Sequence, residues 1–161
     1  MKSLKRQSRV EVKSEAGFIN LYWVKAIAQT LVEAFEIDRI VSIYITDDLR
    51  IKDLNKKFRN INSPTDVLSF ELSEFYLGEI VISWQSAKKN ALESSHSLRE
   101  EIKLLLAHGF THLLGLDHEI PAQKELFFST ERKAIEIISR KLTTYSLCNL
   151  SRNGVHSPYV S

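Results

Sequence analysis

The sequence predicts a single α+β (α/β) domain in which one small mixed sheet of four strands is packed with about five helices. Short apolar runs typical of strands alternate with longer segments of helical periodicity, in the order β-α-β-α-β-β-α-α-α. The chain has 161 residues, a length typical of one domain. Hydrophobic residues make up 43% and charged residues 26%, enough for an apolar core and a solvated surface.

The first half of the chain predicts two strands, each followed by a helix. Residues 9–13 alternate between polar and apolar side chains, and residues 39–45 are rich in Ile and Val, so both segments predict strands. Asn20 is placed to cap the first helix. A second helix is predicted to begin near Asp47 and to end at a polar loop over residues 60–64.

The second half predicts a hairpin followed by three helices. Residues 67–72 and 77–83 predict two antiparallel strands. Ser97 and Glu100 match a capping box ahead of a long apolar helix, and Gly115 is placed to end that helix. The three helices are predicted over residues 84–92, 98–114 and 121–142, the last with Pro121 in its first turn. Residues 1–142 are thus expected to form the domain, and the Ser- and Asn-rich residues 143–161 a flexible polar tail.

Composition excludes several classes of protein. The net charge is only +2, so any binding of nucleic acid must come from local basic clusters. The apolar stretches are interrupted too soon for a membrane span, and no apolar secretory segment follows the basic N-terminus. The single cysteine, Cys148, cannot form an internal disulfide. We therefore expect a cytoplasmic protein that has no membrane partner.

Three histidines carry the clearest functional signal. His108 and His112 are four residues apart on a predicted helix, so their imidazoles project from one face. Gly115 can turn the chain back and bring His118 to the same point. Neutral imidazoles suit zinc, and three protein ligands leave the fourth position open, as in catalytic zinc sites. The pattern predicts one divalent ion per chain, zinc or another transition metal, used for hydrolysis.

The same window resembles the metallopeptidase pattern H-E-x-x-H-x-x-G-x-x-H but lacks its glutamate. Gly109 stands at the position of that residue, which is the general base in those peptidases. Gly109 also falls near the predicted apolar face of the helix, where a small residue permits close packing. Peptide hydrolysis is therefore disfavoured, and it remains a lesser alternative.

Several charged residues are candidates for assisting the metal. Arg59 lies at a helix end beside a polar loop, and a guanidinium binds two phosphate oxygens at once. Neighbouring lysines could attract an anionic substrate, and carboxylates could hold an imidazole ring or remain solvated. These further candidates are Lys56, Lys57, Glu79, Glu101 and Asp117.

Three stretches in the right order resemble the YbeY family of bacterial endoribonucleases, also called rRNA maturation factors. The first is Arg59 followed by S-P-T-D-V-L-S-F at residues 63–70, the second is L-G-E-I-V-I at residues 77–82, and the third is the window H-G-F-T-H-L-L-G-L-D-H at residues 108–118. The resemblance covers roughly residues 8–142. Two positions depart from the family pattern: Glu71 stands where proline is usual, and Glu79 where aspartate is common.

The resemblance implies a metal-dependent endoribonuclease that acts mainly on single-stranded RNA. Zinc would bind His108, His112 and His118, and Arg59 would match the functional arginine of the family. The substrate would be the small-subunit (16S) rRNA precursor, cut in 3′-end maturation and ribosome quality control, so the partners would be RNA and the ribosome or its proteins. A non-catalytic ribosome assembly factor with a structural metal remains the main alternative.

Overall fold

The structure, a computed structural model, describes residues 9–152, with side chains through residue 144. This part of the chain forms four strands and five helices in the predicted order. They are β1 (Val10–Ser14), α1 (Leu21–Ala34), β2 (Ile40–Thr46), α2 (Asp48–Arg59), β3 (Val67–Glu71), β4 (Tyr76–Ser83), α3 (Trp84–Glu93), α4 (Leu98–Leu113) and α5 (Lys124–Arg152). The predicted fold class is confirmed: the chain is one small α+β domain.

The four strands form one mixed sheet in the order β1-β2-β4-β3. β1, β2 and β4 run parallel, and β3 is antiparallel to β4, as the predicted hairpin requires. The main core lies between one face of the sheet and helices α1, α4 and α5, with Phe110 and Ile138 among its buried side chains. The other face packs against α2 in a smaller core of Ile51, Leu68 and Val81.

Local side-chain chemistry sets where the helices begin and end. The side-chain oxygens of Asn20, Asp47 and Ser97 each accept a hydrogen bond from the backbone N–H three residues later, at 3.1, 2.8 and 3.1 Å. Each bond satisfies a donor that a helix start would otherwise leave without a partner. Gly115 follows α4 with a φ of 83°, in the left-handed region, so the predicted reversal of the chain is confirmed.

The last helix differs from its prediction at both ends. It begins at Lys124 rather than at Pro121, because the preceding residues form turns closed by their own hydrogen bonds. In these turns the backbone N–H of Gln123 donates to Ile120, and its side chain accepts from the N–H of Asp117 at 2.9 Å. The helix also continues to Arg152, ten residues past the predicted end at Leu142. Residues 153–161 and the side chain of Cys148 lie outside the described residues.

Among the residues that the structure describes, no helix is both long and apolar enough to cross a membrane.

Candidate metal centre and its cleft

The three predicted ligands converge. His108 and His112 lie one turn apart on α4, and the turn after Gly115 returns His118 to the same place. The ring centroids of His108 and His112 are 4.9 Å apart, and that of His118 is 5.3 and 5.2 Å from them. One nitrogen from each ring lies within 4.8 Å of the other two. The group could therefore hold a metal ion.

A buried phenylalanine of α5 packs against all three imidazoles. Phe127, in the first turn of α5, is fully buried, and its ring centroid lies 5.2, 4.8 and 4.9 Å from those of His108, His112 and His118. Phe128 lies at 22° to the His118 ring, with centroids 6.1 Å apart. The apolar support excludes water from one side of the histidine cluster, so the imidazoles are oriented by packing before any ligand binds.

Burial also acts on the charge of His112. Loss of solvation lowers the pKa of this imidazole, and the neighbouring His108 and His118 lower it further when they are protonated. Asp117 and a backbone hydrogen bond at Leu116 oppose the shift. A lowered pKa keeps the ring neutral at physiological pH, which is the form that binds a metal.

A carboxylate from the last helix orients one of the rings. Glu131 of α5 places its Oε1 2.7 Å from Nδ1 of His108, and both side chains are mostly shielded from solvent. The contact identifies Nδ1 as the nitrogen that donates to the carboxylate, so Nε2 is left to face a ligand. Hydrogen bonding of this kind fixes the tautomer of a metal-binding histidine and increases its basicity.

The donor set suits a borderline divalent ion. Among the described residues the group consists of three imidazoles alone, which match the protein ligands of catalytic zinc sites and leave one position open. The carboxylate on His108 and the apolar support by Phe127 are the surroundings that such a site requires. Because imidazole binds several transition metals, this donor set would accept zinc or another borderline divalent ion.

The histidines open into a cleft of about 900 Å³. One wall is the end of α2, the floor is β3, and the other wall is the loop after α4. Arg59 and Lys57 line the α2 wall, and the guanidinium of Arg59 makes no hydrogen bond or ion pair with another residue of the described chain. The guanidinium is therefore available to an anion that enters from solvent.

The position of Arg59 follows from how α2 ends. Asn60 adopts the left-handed conformation with a φ of 59°, and its N–H closes the helix on the carbonyl of Lys56. The buried Asn55 donates from Nδ2 to the carbonyl of Ser63 at 2.9 Å, which ties the helix to the following loop. Arg59 is thus carried on an anchored helix end and not on a free loop.

The structure separates the other predicted candidates. Glu79 lines the cleft and accepts a hydrogen bond from Ser42 at 3.0 Å. Asp117 lines it as well, but its carboxylate accepts from the N–H of Glu119 at 2.8 Å and so organises the loop of the third histidine.

Lys56 and Glu101 lie elsewhere than the other candidates. Lys56 is exposed and does not line the cleft. Glu101 is buried near the start of α4, where it accepts from Asn90 at 3.2 Å and lies 3.2 Å from His96. These contacts connect α4 to α3 and give Glu101 a place in packing, away from the three metal-binding candidates.

Gly109 lies where α4 approaches the sheet most closely. A Cβ atom at this position would lie 2.7 Å from Cγ2 of Ile80 and 2.9 Å from Oγ of Ser69. The Ser69 hydroxyl also donates to the carbonyl of Gly109 at 3.2 Å. The expectation of close packing at this glycine is confirmed. The position of the peptidase glutamate is therefore closed by the sheet.

Sequence reasoning missed the two supports from α5. Phe127 and Glu131 are four residues apart, so they share one helix face. That spacing was available as a signal, but it does not reveal which element the face contacts. Only the packing of α5 against α4 brings these side chains to the histidines.

Comparisons with known proteins agree with the geometry. The model of the family described as "Endoribonuclease YbeY" matches residues 5–139. A protein named Endoribonuclease YbeY from Aquifex aeolicus is 39% identical over 159 residues, covering 94% of this chain and 99% of that one. A protein of the same name from Caldanaerobacter subterraneus subsp. tengcongensis is 37% identical over 144 residues, covering 78% and 91%.

A solved structure extends the likeness to the fold. The solution structure of TM1509 from Thermotoga maritima matches with a TM-score of 0.64 at 27% identity, covering 94% of this chain and 99% of that chain. The family match spans the end of α2, the hairpin and the three histidines together. On this evidence the chain belongs to the YbeY family of endoribonucleases.

Proposed function

We propose that this protein is a zinc-dependent endoribonuclease that cuts single-stranded RNA, and that it acts in the cytoplasm on the 3′ end of small-subunit (16S) rRNA precursors during maturation and ribosome quality control. The observation that carries the proposal is the shared cleft: three convergent imidazoles and an unpaired arginine line one opening in a chain of this family. The ribosome or its proteins would present the substrate.

The three imidazoles would hold the ion through one nitrogen each. When bound, zinc supplies polarisation of a phosphoryl oxygen and lowers the pKa of a coordinated water toward about 7. Glu131 keeps Nδ1 of His108 engaged, and Phe127 packs beneath all three rings. The role of the chain at this point is to hold one ring nitrogen of each histidine close to the other two.

Arg59 would bind the phosphate that is cut. Negative charge increases on the phosphoryl oxygens as a fifth oxygen approaches phosphorus, and a guanidinium placed in advance stabilises that charge. Lys57, on the same wall of the cleft, adds positive charge for the neighbouring backbone. The cleft also holds acidic side chains, including Glu71 and Glu79, which repel phosphate groups, so binding of RNA there would depend on the positive charge of Arg59 and Lys57.

We propose further that the enzyme domain comprises residues 1–142 and that residues 143–161 are not needed for cleavage. The histidines, Arg59 and both supports from α5 all precede residue 142.

A comparison of two neighbouring basic residues tests the arginine role. Arg59→Ala is expected to slow cleavage of a labelled single-stranded RNA ending in a small-subunit 3′ sequence by about 10²–10³-fold, the cost of removing one donor to a developing oxyanion. Lys56→Ala is the matched control, because Lys56 is exposed on the same helix but outside the cleft. It should cut at the wild-type rate.

The same assay tests the substrate class. The RNA annealed to its complement should resist cleavage, and casein should remain intact. An Arg59→Ala variant with wild-type rate would contradict the arginine role, and equal cutting of the duplex would contradict the preference for single strands. Metal-dependent casein degradation would favour the peptidase alternative.

A further inference from the structure

An aromatic pair lies beside Arg59 at the α2 end of the cleft. The ring centroids of Phe58 and Phe70 are 4.7 Å apart at an interplanar angle of 51°. Phe70 packs on the smaller core beneath α2, so it is held from behind. Phe58 rests on it and remains 56% exposed, while lining the same cleft as the histidines.

Isolated exposed aromatic residues are common and need no explanation. Phe18 and Phe75 are exposed by 63% and 74% on this protein, and neither lines the cleft. Phe58 differs from both in two respects: it opens into the cleft of the metal centre together with its supporting ring, Phe70, and it lies between two cationic residues in the sequence.

The two cationic neighbours of Phe58, Lys57 and Arg59, indicate which kind of ligand would cover its exposed ring. Lys57 and Arg59 both line the cleft and provide positive charge for phosphate groups. In an extended single strand, each phosphate is flanked by two unpaired bases. Stacking of such a base on an aromatic face is the usual way in which proteins bind single-stranded nucleic acid. A phosphate at Arg59 would therefore bring a base to Phe58.

We propose that Phe58, supported by Phe70, is the stacking platform for one unpaired nucleobase next to the phosphate at Arg59. This inference rests on the proposed function and adds to it a physical source of the preference for single strands. In a duplex the base is covered above and below by its neighbours, so its face is not available to Phe58.

Lys57 contacts the ring that the base would use. Its Nζ lies 5.2 Å from the centroid of Phe58. A cation over an exposed ring is a weaker contact than a stacked base. The base would therefore replace the ammonium, whose flexible stem lets it follow the adjacent phosphate.

The test compares variants at Phe58 with one at Phe75. Binding of a labelled single-stranded RNA to the metal-free full-length protein would be measured by fluorescence anisotropy, and KM and kcat with the metal-loaded protein. Phe58→Ala and Phe58→Leu are expected to weaken binding and to raise KM by about tenfold, with kcat little changed. Phe58→Trp, which keeps an aromatic face, should retain the RNA affinity and the KM of the wild type. Phe75→Ala, which removes an exposed ring outside the cleft, should match the wild type.

A second RNA separates stacking from a loss of fold. It carries abasic ribose at the positions around the cleavage site, so its backbone charge is unchanged but it has no base to stack. Wild type and Phe58→Leu should bind this RNA equally. Equal affinity of the two proteins for the intact RNA would overturn the inference, as would an equal loss on both RNAs. If the wild type bound RNA without cleaving it, the proposed nuclease function would be overturned, and the binding data would still test the stacking role of Phe58. If the wild type did not bind RNA, both proposals would be overturned.

Discussion

At the scale of single residues, the histidine cluster depends on side chains that do not touch the ion. Nδ1 of His108 lies 2.7 Å from Oε1 of Glu131. The ring centroid of Phe127 lies within 5.2 Å of the centroids of all three imidazoles. A rotating imidazole must be ordered when it binds metal, and ordering it beforehand removes part of that entropic cost. The side chains of α5 that contact the histidines should therefore increase the affinity for the ion, although none of them binds it.

Loss of the Glu131 carboxylate should weaken metal binding without removing a ligand. We expect Glu131→Leu to reduce zinc affinity by about 10- to 100-fold, the usual effect of removing a hydrogen-bond partner from a metal-binding histidine. Glu131→Gln keeps an acceptor and should lose less. The measurement is competition for zinc with a chromogenic chelator.

Glu136→Leu is the control for that change. Glu136 lies on the same helix, but its side chain is 61% exposed and pairs with Arg140. Its removal should leave the zinc affinity unchanged. Equal affinities for wild type and Glu131→Leu would show that the carboxylate does not prepare His108.

The ligands could be predicted from the sequence and their supports could not. His108, His112 and His118 are joined by local geometry, a helix turn and a glycine reversal, which spacing alone reveals. The contact between His108 and Glu131 spans 23 residues and depends on how two helices pack. No spacing rule reports such a contact.

At the scale of secondary structure, the approach of α4 to the sheet positions the two helical histidines. Gly109 follows His108 directly, and its missing side chain lets the helix rest on Ile80 and Ser69. Apart from the last helix, the predicted helix and hairpin ends agree with the structure within one or two residues, because caps and turns are encoded locally.

The last helix was harder to predict. Its start depends on the hydrogen bonds of the 117–123 turns, which the first-turn preference of Pro121 does not reveal. Beyond Leu142 the helix continues through polar residues, and the hydroxyls of Thr143 and Thr144 find acceptors within it, the carbonyls of Ser139 and Arg140, both at 3.0 Å.

A single methyl group at Gly109 should separate α4 from the sheet. We expect Gly109→Ala to lower the free energy of unfolding by about 1–3 kcal/mol, because the clash with a packed core outweighs the gain in helix propensity. Urea denaturation of the metal-free protein measures the change. Gly17→Ala is the control, since a Cβ there meets nothing within 4 Å. If both variants were as stable as the wild type, close packing at Gly109 would not be essential.

At the scale of the whole molecule, the cleft joins two parts of the fold that have separate cores. Arg59 belongs to α2, which packs on the smaller core, and the histidines belong to the α4 region, which packs on the main core. The relative placement of these parts is set by β3 and β4 between them. The sequence alone predicted the histidines and the basic residues of α2 as candidates. It did not distinguish Lys57, which lines the cleft, from Lys56, which does not.

The partial burial of His112 should make the stability of the metal-free protein depend on pH. Burial lowers the pKa of this imidazole below its ordinary value of 6.5. The unfolded chain therefore takes up the proton first. Stability is unaffected above that ordinary value and is lost as the pH falls toward the lowered pKa.

His112→Asn, which has no titrating ring, should lose less stability between pH 7 and pH 5 than the wild type does, by urea unfolding in the presence of a chelator. Identical pH profiles for the two proteins would contradict the role of burial at His112.

The most direct measurement is cleavage of a labelled single-stranded RNA that ends in a small-subunit rRNA 3′ sequence. Four samples would be assayed together: the wild type, the wild type stripped with a chelator, the stripped protein resupplied with zinc, and His112→Ala. We predict cleavage by the wild type and the resupplied protein alone, because the metal and its three imidazoles are all required. Cleavage by His112→Ala at the wild-type rate would contradict the account, and absence of cleavage in every sample would favour a non-catalytic assembly factor whose metal only stabilises the fold.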